Sequence, residues 1–183
     1  QWMKTGRGII HSEMPAMTGG KLLGFQLWIN MPAIMKKNKP EYLYMKGKDL
    51  GVHLDNEKKV KVIAGKFEKA KGPLTTHNVE PIYFHIVLNE GKEFKFDIPE
   101  GHNAFIYLLQ GELNIGEKKH DKTHDSSLIL LERGNKLIAK AIKKSEFLLI
   151  AGKPIGEPIA RGGPFVMNTK AEILEAIQDY NNG

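Results

Sequence analysis

The sequence predicts an all-β fold closed by a single helix at its C-terminal end. Three observations carry this reading. Apolar residues recur mostly at every second position, the pattern of a strand with one buried face. Gly and Asn punctuate the joins between these runs, as at Asn89-Glu90-Gly91 and Gly134-Asn135. Helical spacing is confined to residues 168–183, while 19 Gly and 9 Pro favour turns over a bundle.

The elements follow in chain order. "QWMKTGRGIIHSEM" (1–14) reads as a strand, a glycine turn and a second short strand. No partner strands for it are evident within the chain, and a hairpin of this size is not stable alone. It therefore either adds to the following sheet or ends another domain. "KLLGFQLWINMP" (21–32) reads as a further strand. Strands are then expected at 59–65, 81–88, 93–98, 104–111, 112–116, 127–132, 136–142 and 146–152. Residues from about 50 to 152 thus read as a self-contained antiparallel sandwich or barrel. "PIGEPIARGGPF" (154–165) is an extended return rich in Pro and Gly. In the closing helix Thr169 and Glu172 have capping-box spacing, and Ile173, Leu174, Ile177 and Tyr180 share one face. So short a helix needs a sheet to dock on.

Bulk composition narrows the function classes. With 41% hydrophobic and 26% charged residues the chain is an ordinary globular one with enough apolar material for a core. The net charge is +6, but the lysines are scattered over loops 35–49 and 65–73 and the strand edge 56–62. Scattered lysines solvate loops and blunt sheet edges, so direct nucleic-acid binding is not expected. The absence of cysteine excludes disulfides, thiolate zinc sites and thiol catalysis. No apolar run reaches the length of about 20 residues that spans a bilayer, so no membrane partner is expected. There is no glycine-rich phosphate loop and no Gly-x-Ser-x-Gly elbow.

The strongest chemical signal is His11 with Glu13 in "IIHSEM". On a strand, residues two apart point to one face, so an imidazole and a carboxylate would stand side by side. With a second histidine they would form the facial triad that suits non-haem iron(II). Spacing alone equally describes a surface pair, and two ligands do not hold a metal firmly. His53, His77, His120 and His124 sit in polar, loop-like contexts, the last two in "KKHDKTHD" (118–125), which reads as a solvated hairpin tip. His85 lies inside a strand as a hydrogen-bonded sheet histidine. His102, at a turn, is expected to bond local backbone. Trp2 and Trp28 read as core. Met3, Met14, Met17, Met31 and Met35 read as gap-filling core, or as the lining of a cavity.

Several stretches together resemble the pirin family. They are "QWMKTGRGIIHSE" (1–13), "FQLWINMP" (25–32), "VIAG" (62–65), "GHNAFIYLLQGE" (101–112), "LLIAG" (148–152) and "GGPFVMNT" (162–169). These anchors keep the family's order and cover nearly the whole chain. The resemblance implies a bicupin: two cupin barrels (double-stranded β-helix, or jelly-roll) facing one another, with a C-terminal helix. Residues 1–30 would be the remnant of the N-terminal barrel and its crossover, and 31–183 the C-terminal barrel with the helix.

In the family the N-terminal barrel binds one metal, usually iron, through three histidines and a glutamate. The "GRGIxHSE" segment maps two of these ligands onto His11 and Glu13. The other two would come from an upstream H-x-H motif that these 183 residues do not contain. The resemblance implies Fe(II) in the intact protein, with an incomplete site and no activity in this chain alone. It also implies quercetin 2,3-dioxygenase-type oxidoreductase chemistry on a flavonol, with Glu13 as both ligand and base. The alternative it implies is an iron-dependent transcriptional co-regulator, partnering a transcription factor without turnover. The expected location is cytoplasmic, or nuclear in a eukaryote. For the C-terminal barrel, the cupin ligand places counted from Tyr107 hold Asp97, Pro99 and Asn103, and the fourth holds Leu137. That barrel is expected to be a structural partner without metal.

Overall fold

The structure is a computed structural model that describes residues 1–14, 19–20, 22–74, 78–116, 123 and 125–183. Contacts divide the chain into two compact units, Gln1–Tyr44 with Ile155–Gly183, and Met45–Pro154. The family-based division near residue 30 falls inside the first of these.

The Met45–Pro154 unit is the barrel that alternation predicts. Its strands are β3 (Gly51–Leu54), β4 (Lys58–Ala64), β5 (Lys66–Phe67), β6 (Ala70–Lys71), β7 (Ile82–Leu88), β8 (Glu93–Asp97), β9 (Asn103–Ile115), β10 (Ser127–Leu130) and β11 (Lys136–Gly152). β1 (Trp2–Lys4) and β2 (Glu41–Leu43) belong to the other unit. Seven strands form one antiparallel sheet in the order β10-β9-β11-β7-β4-β3, with β8 pairing β11 beside this path. β7 shows why the pleat works. Ile82, Phe84, Ile86 and Leu88 are buried, while Tyr83, His85 and Val87 between them are only partly covered. Across the ladder Val60, Val62 and Ala64 of β4 repeat the pattern, with Lys59 and Lys61 turned the other way.

Apolar side chains fill the barrel interior. Phe67 stacks on Phe94 at 5.3 Å, and Phe84 meets Phe96 edge-on at 5.0 Å. Phe94 meets Phe147 edge-on at 6.0 Å. Such offset and edge contacts add to the burial of each ring. Ile86, Ile106, Leu108 and Leu149 close the remainder of the cluster.

Two pairs of expected strands are in fact two long ones. Residues 104–116 read as two strands split at Gly111, but β9 runs unbroken from Asn103 to Ile115. Likewise 136–152 is the single strand β11. The breaks seen in the sequence are corners rather than ends. β11 shifts register against β9 between Ala141 and Phe147, opposite Gly111. Gly111 has φ +101°, and a Cβ there would lie 2.5 Å from the Lys144 carbonyl oxygen. A side chain is excluded from this corner, so glycine is required.

In the other unit, β1 (Trp2–Lys4) pairs antiparallel with β2 (Glu41–Leu43), Met3 opposite Tyr42. The opening strand therefore has a partner within the chain, contrary to the expectation from local pattern. That partner lies some 40 residues downstream, beyond the reach of any hairpin signal. Described residues within 21–32 form no strand, and Leu22 and Leu23 are exposed. Apolar alternation makes a strand only where a neighbour completes the hydrogen-bond ladder. The unit ends with the hairpin β12 (Ala160–Gly162) and β13 (Phe165–Met167), then α1 (Lys170–Asn182).

Thr169 caps α1 with the expected box. Its Oγ1 accepts from the Glu172 amide, and the Glu172 carboxylate accepts from the Thr169 amide at 2.7 Å. The predicted apolar face is only partly used, because Ile173 alone is buried while Leu174 and Tyr180 stay exposed. Among the described residues no helix is long and apolar enough to cross a membrane.

Candidate metal centre

The segment bearing His11 and Glu13 begins at β1. Thr5–Gly8 closes a tight turn, with the Gly8 amide donating to the Thr5 carbonyl at 2.8 Å. The Arg7 amide donates to the Asn38 carbonyl at 2.9 Å. Gly6 lies at φ +50° with its α-carbon against that carbonyl, so a Cβ would collide with backbone. The "TGRG" turn is thus hooked onto residue 38 by geometry only glycine allows.

Beyond the turn the expected second strand does not form, and His11 and Glu13 are both exposed. The same-face argument for residues two apart needs a pleated ladder, and residues 9–14 have none. One side chain is nonetheless oriented. Gln1 Nε2 donates to Glu13 Oε1 at 2.5 Å, and Tyr42 Oη donates to Gln1 Oε1 at 2.7 Å. A relay from β2 through the first residue thereby fixes the Glu13 carboxylate. Spacing could not reveal it, since Tyr42 and Glu13 are distant in sequence and meet through the β1–β2 pairing.

An imidazole and a carboxylate are the right donor kinds for a non-haem iron ion. In number they fall short. Among the described residues no three His, Cys, Asp or Glu side chains gather closely enough to hold a metal.

The remaining histidines have ordinary partners where they are described. His53 bonds Asp55 at 2.9 Å and presents its ring to Phe67. Asp55 also accepts the Glu57 and Lys58 amides, and these bonds, the His53 one foremost, hold its carboxyl well below the usual range. His85 Nε2 donates to Glu146 at 2.6 Å, whose other oxygen accepts from Gln110 at 2.9 Å. His102 is buried and bonds backbone as expected. Its partner, the Glu80 carbonyl at 3.3 Å, is not local. His77, His120 and His124 lie outside the described residues.

In the Met45–Pro154 barrel Asp97, Pro99 and Asn103 are exposed and Leu137 is buried in the apolar cluster. These positions offer no inward ligand set. Trp28 is half exposed rather than core, with the Arg161 guanidinium 5.2 Å from its ring centroid. Met14 is exposed, and Met3, Met31 and Met35 are partly covered, while Met17 lies outside the described residues.

One polar cluster was not visible in the sequence. Among the described residues of the Gln1–Tyr44 and Ile155–Gly183 unit, only Lys36 and Ile173 are buried. Burial lowers the Lys36 pKa and outweighs the attraction of the Glu157 and Glu172 carboxylates. Glu157 Oε2 accepts the Ala33 amide at 2.7 Å and Asn168 Nδ2 at 2.9 Å. Glu172 Oε2 accepts the Asn168 amide at 2.9 Å. Backbone amides of Asn168 and Thr169 hold the Glu172 carboxyl below its usual range.

Comparison with known proteins places this arrangement. The family described as the pirin C-terminal cupin domain matches residues 83–183, and that described as pirin matches residues 1–29. The chain belongs to the pirin family. A pirin-like protein of Caulobacter vibrioides is 36% identical over the whole chain, which covers 66% of that protein. A pirin-like protein of tomato, Solanum lycopersicum, is 39% identical over the whole chain and 63% of its own length. The chain thus spans slightly less than two thirds of these relatives. A crystal structure of quercetin 2,3-dioxygenase from Acinetobacter baumannii is 33% identical with a TM-score of 0.77, over 85% of this chain and 54% of the other. The fold is accordingly an all-β cupin of pirin type. The pirin match at the start includes His11 and Glu13, and the pirin C-terminal match spans β7 to α1.

Proposed function

We propose that this chain supplies two ligands, His11 and Glu13, to an iron(II) site in a pirin-type oxidoreductase that cleaves flavonols as a quercetin 2,3-dioxygenase does. The likeness to the Acinetobacter baumannii quercetin 2,3-dioxygenase, at 33% identity, is the observation that carries this reading. Bound iron would supply a Lewis-acid centre for the substrate oxygens.

The chain's own residues do the remaining work in this reading. Glu13 takes the proton of the flavonol 3-hydroxyl as general base. Gln1 occupies one carboxylate oxygen and so aims the other, with Tyr42 holding Gln1 in turn. His11 contributes an imidazole nitrogen. The apolar second barrel, with Phe67, Phe84, Phe94 and Phe147 filling its interior, acts as a rigid support without chemistry.

The test compares two proteins. One is residues 1–183 alone; the other carries in addition any sequence that precedes Gln1 in the gene. Elemental analysis should find less than stoichiometric iron in the first and about one iron per chain in the second. The second should consume quercetin with dioxygen, and His11→Ala or Glu13→Ala should abolish both iron retention and turnover. Stoichiometric iron in residues 1–183 alone would refute the shared site. Iron-loaded protein that leaves quercetin intact but binds another protein only when metallated would favour the co-regulator reading.

A further inference from the structure

Three strands of the barrel sheet, β3, β8 and β10, have a paired neighbour on one side only among the described residues. An edge strand offers its unpaired amides and carbonyls to any strand that can lie beside it. The three edges differ in how they are guarded. At β3 the β6 backbone abuts Gly51, and the exposed Val52 and Leu54 stand across from Lys61 and Lys59. β8 carries the exposed charges Glu93, Lys95 and Asp97 at every second position. β10, Ser127–Leu130, has no charged residue, and Leu128 and Leu130 are 58% and 75% exposed. Their cross-strand neighbours on the same face are Tyr107 and Phe105 of β9, followed by Leu148 and Ile150 of β11. An apolar surface therefore runs inward from an unguarded edge.

Backbone direction at this edge follows from the pairing. In an antiparallel ladder, residues alternate between bonding one neighbour and facing the other side. The Leu131 amide donates to the Ala104 carbonyl at 3.1 Å, which continues the register of Leu130 opposite Phe105. Ile129 accordingly bonds toward β9. The amides and carbonyls of Leu128 and Leu130 turn to the open side.

Two such edges complete one another. Antiparallel pairing about a two-fold axis at Ile129 sets Leu128 against the partner's Leu130, and Leu130 against the partner's Leu128, with backbone groups aimed across. Opposed residues share a face, so four leucines meet on one side of the joined sheet, beside Tyr107 and Phe105 of each copy. The flanking charges agree with this register. Asp125 comes opposite the partner's Arg133, and Glu132 opposite the partner's Ser126, so no like charges meet. The same operation at β3, about His53, would oppose Lys48 to Lys58 and Asp49 to Glu57.

We infer that β10 is a self-association edge: two copies of this chain pair β10 antiparallel, Leu128 to Leu130, and join their sheets into one. The inference does not involve the metal site. Four paired residues a side make a small interface, below about 1,200 Å², so the dimer is weak, with a dissociation constant of about 100 µM.

Sedimentation equilibrium on the protein, with any sequence that precedes Gln1, reads the association from about 1 µM to about 1 mM. Amide exchange at both ends of that range locates the contact. The Leu128 and Leu130 amides should exchange about fivefold more slowly at the high end, where most copies are paired. Ile129, bonded toward β9, and Val52 and Leu54 on β3 should not change. Leu130→Lys should raise the dissociation constant at least tenfold, with β7 and β11 amides as protected as in wild type. If Leu130→Lys does not fold, Arg133→Glu still decides. It lies on an exposed turn outside the strand and puts two carboxylates across from each other, so it should weaken the dimer about threefold or more. A dimer untouched by Arg133→Glu, or one that leaves Leu128 and Leu130 unprotected, would overturn the inference. So would protein that stays monomeric at the highest concentration, whatever other strand β10 then accepts.

Discussion

The Ser145 hydroxyl accepts a hydrogen bond from the Glu112 amide at 3.0 Å, and its own proton lies within reach of the Lys143 carbonyl at 2.7 Å. The residue is almost wholly buried, at the point where β11 changes register against β9. A side-chain oxygen thus replaces the backbone partner that the bulge removes.

Ser145→Ala should therefore leave a buried amide without a partner. The expected loss is about 1–3 kcal/mol. Urea unfolding would measure it. A midpoint equal to wild type would show that the corner rearranges to satisfy Glu112 by another route.

Asp55 gives a pH prediction. Its folded-state pKa is depressed, first by the His53 bond and then by the Glu57 amide. A depressed carboxylate stabilises fully above its unfolded pKa, near 3.9, and that contribution is lost as pH falls through the folded value. Asp55→Asn should be less stable than wild type at pH 7, and the gap should narrow steadily as pH drops below about 4. Because Asp55 is more than a third exposed, the gap is small, about 1 kcal/mol or less. Thermal melts from pH 7 to pH 2 would follow it. A gap that widens on acidification contradicts the assignment.

Tyr42 reaches Glu13 only through Gln1. Tyr42→Phe removes one hydroxyl at an exposed position, so global stability should change by less than about 0.5 kcal/mol. Iron affinity of the protein that carries the whole site should fall about tenfold, the lower end for loss of an outer hydrogen bond to a ligand. Competition with a chelator would measure this. Unchanged affinity would mean that Glu13 is held without the relay.

Gly162 lies under α1. A Cβ there would stand 2.6 Å from Ile173 Cγ2, and Ile173 is the helix residue that is buried. Gly162→Ala should overpack this contact, at about 1–3 kcal/mol. Exchange of the α1 amides should accelerate while β7 and β11 amides keep their protection. A helix as protected as wild type would show that Ile173 has room to rotate away.

Local pattern carried far in this chain. The interior of the barrel was legible because strand alternation is a short-range rule: Val60, Val62, Phe84 and Ile86 declare their side every two residues. The helix cap was legible for the same reason, since Thr169 and Glu172 are three residues apart. The candidate pair His11 and Glu13 was singled out by its spacing and its motif, but the same-face argument assumed a strand that residues 9–14 do not form. Among the described residues of 9–14 and 21–32 the expected strands do not form, since apolar alternation does not say whether a neighbour exists. Gly111 looked like the end of a strand because a turn and a barrel corner both demand an absent Cβ.

By itself, then, the chain's residue order determined which segments could pleat, which face of each would be dry, where the helix starts and which family it joins. Tertiary structure alone decided that β1 pairs with β2, that Tyr42 and Gln1 orient Glu13, and that Lys36 is buried. The reason is distance along the chain. Burial on one side of a strand is dictated by neighbours two residues away, whereas the bond from the Ala33 amide to Glu157 exists only after folding brings sequence-distant segments together.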